Sequence, residues 1–336
     1  MWRTQSKLVL LMVVVLAGGG GLQAATVSEL YVAQVPATAL TGPALDEAFG
    51  LALDAVLVKV TGQRYPPAGP DRSRLKGAIA GLIRQYQPVP GGQLRVSFDP
   101  VALRQRLDAA NLPVWADERP LVLVSLPPEA DAAPTGAPEP ALPSASGARQ
   151  QLLATAAIRG LPLVIPPPSA ASARTAVDPL RDPAAALEAA GADVLLVGRR
   201  APTGGSAQWR WTLLQDGGRA EWQGDATDGA HGLADRLAAR YATSAAAGRV
   251  LSLRIEDVAS FDAYARVQSY LRSVDLIQRM DLQRITGGAL IYEVAVRGDV
   301  RQLNDAFALQ RVLEPRAASG PASPAGDLAY GLVAAP

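Results

Sequence analysis

Residues 191–200 read GADVLLVGRR. A turn-like Gly-Ala-Asp leads into four apolar residues, Val194 to Val197, then a glycine and two arginines. The stretch is either a glycine-framed cradle for a phosphate or a buried strand with polar ends. A cradle needs consecutive backbone N–H groups aimed from the N-terminus of a helix. Here Gly191 follows a helix that Asp182 caps and Pro183 starts. Gly198 opens no helix, because Ala201-Pro202-Thr203-Gly204-Gly205 reads as a turn. No G-x-x-x-x-G-K-[ST] or G-x-G-x-x-G accompanies it. The spacing therefore predicts helix cap, tight turn, buried strand and exit.

Working outward, that strand is one of several short apolar runs. Leu121–Leu126 (LVLVSL) has the look of a strand buried on both faces, and Leu163–Ile165 reads as a second short strand. A helix over Ala148–Arg159, stopped by Gly160, lies between them. Trp209, Trp211 and Leu213 alternate along the next strand. Asp216-Gly217-Gly218 turns it into a partner containing Trp222, and a helix over Gly232–Tyr241 closes the unit. This order predicts a middle α/β unit, residues 120–245, with a partly parallel sheet and an antiparallel edge. Residues 127–146, rich in Pro, Ala, Gly and Ser, read as a flexible excursion within it.

The flanking units are smaller. Residues 25–119 carry a strand at Val27–Val35 and a helix from Pro43 to Val60 stopped by Gly62. A second helix is predicted over Arg72–Tyr86, then a strand at Gln93–Phe98 and a helix opened by Asp99-Pro100. Residues 249–315 give a β-α-β-β-α order, a small sandwich whose hairpin turns at Thr286-Gly287-Gly288. Residues 316–336 read as a disordered tail. The fold class is α/β, mixed with α+β, in two or three small domains.

Composition limits the function. Arg3 and Lys7 precede an unbroken apolar run, Leu8–Ala17, and four glycines; Leu22-Gln23-Ala24-Ala25 has small residues where a signal peptidase needs them. Residues 1–24 are predicted to be a signal peptide, cleaved after Ala24 or, as second choice, Ala25. The run is about half the ~20 residues needed to span a bilayer, so no lasting membrane span is expected. With no cysteine in the 336 residues, neither disulfides nor a lipidated cysteine can form. The formal charge of +1 falls to near neutrality without the leader, so nucleic acid is not an expected partner.

No cofactor, metal or catalytic set is predicted. His231 is the only histidine and reads as a solvated or capping residue. Ser73-Arg74-Leu75-Lys76 fits S-x-x-K but lacks the S-D-N and K-T-G elements that would make it an acylation site. Asp46 with Glu47, Asp117 with Glu118, and Glu256 with Asp257 are available carboxylate pairs, read as solvated. Tryptophan is enriched at interfaces and arginine stacks on it. Trp115, Arg119, Trp209 and Trp211 are therefore the candidates for partner or inter-domain contact, with packing as the simpler reading of each.

Two resemblances bear on location. The strand–helix–strand–helix–GADVLLVG order followed by a Trp-bearing hairpin resembles envelope modules such as the amino-terminal domain of the Tol–Pal translocation protein and curli-secretion lipoproteins. ALDAVLVKVTGQR (52–64), LRVSFDPVALRQRLDAANLPVWADERPLVLV (94–124), GADVLLVGR (191–199) and GDVRQLNDAFALQRVLEP (298–315) together resemble an exported proteobacterial family catalogued as domain of unknown function 2066. That resemblance implies a periplasmic location and no reaction. The expected role is a non-catalytic envelope module that contacts another envelope protein or the cell wall. A periplasmic hydrolase built on carboxylates, or a small-ligand binder, is the alternative.

Overall fold

The computed structural model describes residues 25–27, 29–127, 145–166, 179–200, 208–245, 248–316 and 327–333. The expected signal peptide and Ala24 lie outside these, as does most of the 127–146 segment.

The mixed α/β architecture is present as three layered units. The first contains β2 (Val32–Pro36), α1 (Gly42–Thr61), α2 (Gly69–Gly77), β3 (Ile83–Val89), β4 (Gln93–Phe98) and α3 (Pro100–Ala109). Its strands pair antiparallel in the order β2-β4-β3. Ala52, Leu53, Val56, Leu57 and Val60 of α1 meet Leu94, Val96 and Phe98 of β4 in one core. The sequence expectation of a helix over Arg72–Tyr86 is corrected here. Gly77 and Gly81, poor helix formers, break it into α2 and one 3-10 turn at Ile79–Gly81. Leu75 and Leu82 still reach the core, but from Ile83 the chain is an edge strand. The strand expected at Val27–Val35 is also shorter. A two-residue β1 (Ala25–Thr26) pairs with β5 (Glu118–Arg119), and β2 starts only at Val32.

The middle unit contains β6 (Val122–Ser125), α4 (Ala145–Arg159), β7 (Leu163–Val164), α5 (Pro183–Ala190), β8 (Val194–Arg200), β9 (Trp209–Gln215), β10 (Gly218–Gly224) and α6 (Ala226–Tyr241). The sheet order is β10-β9-β8-β6-β7; β7, β6 and β8 are parallel, and β9 and β10 form the antiparallel edge. Its core joins Val194 and Leu196 of β8 to Leu152 and Ala156 of α4 and Leu233 and Leu237 of α6. Leu195 and Val197, with the opposite parity, pack with Leu187 of α5. GADVLLVGRR is thus apolar on both parities because both faces of the strand are covered. Gly191 is the left-handed cap of α5 (φ 60°). A Cβ on Gly198 would stand 2.5 Å from Cζ3 of Trp211, so this glycine makes room for an indole rather than a phosphate.

The third unit contains β11 (Arg249–Glu256), α7 (Phe261–Ser273), β12 (Ile277–Thr286), β13 (Ala289–Val296), α8 (Val300–Gln310), β14 (Leu313–Pro315) and β15 (Asp327–Leu332), with sheet order β12-β13-β11-β15-β14. The expected disordered tail is corrected by β15, which lies parallel to β11. Leu328, Tyr330 and Leu332 alternate and pack on the unit's core, supplying enough apolar surface to offset the cost of ordering the strand.

Candidate functional site

The three units meet at Trp115-Ala116-Asp117-Glu118-Arg119. Val114 forms an isolated bridge with Thr243, and the Trp115 N–H donates to Val60 O at 2.7 Å. The Trp115 ring is fully buried. Gly62 caps α1 at φ 67°, and a Cβ there would meet the Ala238 Cβ at 2.5 Å and Trp115 Cε3 at 3.0 Å. Only glycine satisfies both the left-handed backbone and the close approach.

Arg119 is also fully buried, with its guanidinium carbon 4.0 Å from the Trp115 ring centroid. Its bonds go to backbone carbonyls: Ala116 O (3.0 Å), Trp115 O (3.2 Å), Lys59 O (2.7 Å), Arg159 O (3.1 Å) and Gly160 O (2.8 Å). Lys59 lies in the last turn of α1, and Arg159 and Gly160 end α4. A cation there meets the negative ends of two helices. Burial pushes its pKa down to about 9, which leaves it charged at neutral pH. Arg159, equally buried, donates to Gly62 O (2.8 Å) and Asp235 Oδ1 (2.6 Å), and its Nη1 lies 3.0 Å from His231 Nδ1. These contacts hold the first unit to the middle one.

On the other side of the segment three carboxylates converge. Asp117, Glu118 and Asp275 are each half-buried, and one oxygen from each lies within 4.8 Å of the others. Arg104 of α3 holds Asp275 with two bonds, 2.5 and 3.0 Å, and reaches Tyr31 Oη at 3.3 Å. Burial, then Asp117 and Asp275, push Glu118 up to about 7. Burial pushes Asp275 up to about 6 against the pull of Arg104. A cavity of about 30 Å³ adjoins them, lined in part by Trp115, Glu118, Asp275 and Gln302. A larger cleft, about 790 Å³, runs between the middle and third units, with Asp193, Asp216, Arg240, Tyr241, Asp305 and Arg311 in its walls. Arg240 crosses it to Asp305 (2.8 and 2.9 Å) and also pairs with Asp216 at 2.8 Å.

The sequence candidates separate. Trp115 and Arg119 lie at the junction of units. Trp209 and Trp211 do not: they stack at 5.6 Å inside the middle unit's core, 1% and 0% exposed, and offer a partner no surface. Ala25 is in β1. Asp46 and Glu47 are exposed on α1. Glu256 pairs with Arg254 and Asp257 with Arg316. The Ser73 hydroxyl donates to Gly69 O while Lys76 pairs with Asp54, so the two share no relay. Asp275 was missed; only the fold brings it to Asp117 and Glu118, and no local spacing could reveal it.

Residues 24–116 match a family described as a domain of unknown function (DUF8605). An uncharacterised domain thus covers the first unit and ends within the junction segment, at Ala116. No curated protein and no solved structure matches the chain. Among the described residues, no helix is long and apolar enough to cross a membrane.

Proposed function

We propose that the chain is exported to the periplasm and works there as a non-catalytic interaction or assembly module of the cell envelope. The leader-like residues 1–24 and the stretches resembling domain of unknown function 2066 and the Tol–Pal module support the location. The observation that carries the interaction role is the outer edge of the third sheet. β12 is ten residues long and, among the described residues, pairs only with β13. From Asp281 to Thr286 every residue is exposed, including Leu282 (36%) and Ile285 (64%). An edge that offers unpaired backbone groups beside apolar side chains accepts an added strand from a partner.

A photo-crosslinking residue at position 285, used in intact cells, is expected to trap one defined envelope protein. Leu282→Asp should abolish the product while leaving the circular dichroism unchanged. Absence of any product, or capture indifferent to this substitution, would count against the module.

The cleft of about 790 Å³ favours a second reading, a small-ligand binder. Its size falls in the range of small-molecule sites. A ligand for it would raise the unfolding temperature progressively with concentration, and Asp305→Asn should reduce that rise.

A further inference from the structure

Asp117 and Asp275 share a hydrogen bond and Glu118 accepts one from Gln310, yet the three carboxylates gather more negative charge than the facing cations answer, beside an open space. One guanidinium, Arg104, faces them directly, and it is bonded to Asp275. Arg119 is near but spends its donors on carbonyls. Two further buried polar groups near them lack partners. The Tyr270 hydroxyl, on a residue 6% exposed, makes no hydrogen bond and sits close enough to Glu118 to feel its charge. The Trp115 Nε1–H, on a residue 0% exposed, makes none either. The Trp115 ring lines the cavity together with Glu118 and Asp275. Buried donors without acceptors are rare in folded proteins and mark the place of an absent group. The cavity, about 30 Å³, has room for about one water.

We propose that Asp117, Glu118 and Asp275 bind one hard divalent cation, of the calcium, magnesium and manganese class, with a coordinated water in the cavity that Trp115, Glu118 and Asp275 line. All three donors are carboxylate oxygens, which hard cations prefer. The soft ligands are elsewhere or absent: the chain has no cysteine, and His231 lies against Arg159 on the opposite seam. Asp275 belongs to the third unit and the other two ligands to the central segment, so the ion clamps the units together.

Terbium(III) is the probe, because a hard lanthanide beside Trp115 emits when the indole is excited. With chelator-treated full-length protein, saturable sensitised emission is expected, displaced by calcium, magnesium or manganese chloride. The same three salts, without terbium, should raise the unfolding temperature. Glu118→Gln should weaken binding at least tenfold, while Asp46→Asn, an exposed acid on α1, should leave it unchanged. Trp115→Phe should lose the emission and keep the salt-induced stabilisation. The proposal is overturned if wild-type protein shows no saturable effect of any of the three salts up to about 1 mM, the weak end of natural calcium sites. It is equally overturned if folded Glu118→Gln binds as wild type does, or if Trp115→Phe keeps the full emission.

Discussion

At the scale of the residue, the junction depends on one cation held by carbonyls. Arg119→Met preserves apolar bulk but leaves five carbonyls without their donor. A buried acceptor left without its donor costs about 1–3 kcal/mol, and a loss of at least that size is expected in the urea midpoint with the slope unchanged. Arg119→Lys should recover only part of it, because a compact ammonium cannot span carbonyls on two helices. His231 offers a pH-dependent counterpart. Burial first, then Arg64 and Arg159, lower its pKa below the ordinary 6.5, against Asp235 and Asp228. The folded protein therefore binds fewer protons here than the unfolded chain. Its contribution is complete above the ordinary histidine value and is lost as pH falls through the lowered one. With one imidazole in the chain, an NMR titration reads this directly. A midpoint below 6.5 is expected, and His231→Gln should flatten the acid side of the stability profile.

At the scale of the element, legibility followed how locally each choice was made. The buried strand at Val194–Arg200 was readable because its cap, turn and apolar run are contiguous. The hairpin of β12 and β13 was readable from Gly287-Gly288 between alternating runs. The helix expected over Arg72–Tyr86 failed because its apolar spacing serves a helix, a turn and an edge strand in succession. β15 was hidden by the Ala- and Gly-rich composition around it, although Leu328, Tyr330 and Leu332 have the period of a strand. That strand is integral to its unit. Tyr330 is 3% exposed, packs edge-on to Phe307 at 5.0 Å and bonds to Asn304. Tyr330→Ala should cost about 3–5 kcal/mol, as large aromatic truncations in cores do, whereas a solvated tail would tolerate it. Thermal unfolding of the variant distinguishes the two.

At the scale of the whole molecule, each pair of units is tied by a charged contact with little exposure. Arg119 and Arg159 join the first unit to the middle one, Arg240 and Asp305 the middle to the third, and Arg104 with Asp275 and Arg297 with Asp108 the first to the third. Of these residues only Arg119 stood out in sequence, through its neighbouring tryptophan; the partners of all of them lie at separations along the chain that carry no periodic signal. The carboxylate pair Asp117 and Glu118 was legible as a pair, but its third member arrives from another unit. Arg297 is the most telling of the ties: its side chain is 4% exposed and meets Asp108 at 2.5 Å. Asp108→Ala leaves that guanidinium buried without its carboxylate, a change in the range of about 3–5 kcal/mol. The cost falls on one seam, so its signature is a loss of cooperativity as well as of stability. The third unit holds none of the five tryptophans but does hold Tyr264, Tyr270, Tyr292 and Tyr330. Tryptophan fluorescence therefore reports the junction and the middle unit, while far-ultraviolet circular dichroism reports all three. In the wild type the two transitions should coincide. In Asp108→Ala the dichroism should begin to fall at lower denaturant than the fluorescence, as the third unit detaches first. Transitions that stay superimposed in the variant would mean that the seams at Arg104 and Arg240 suffice to hold the third unit.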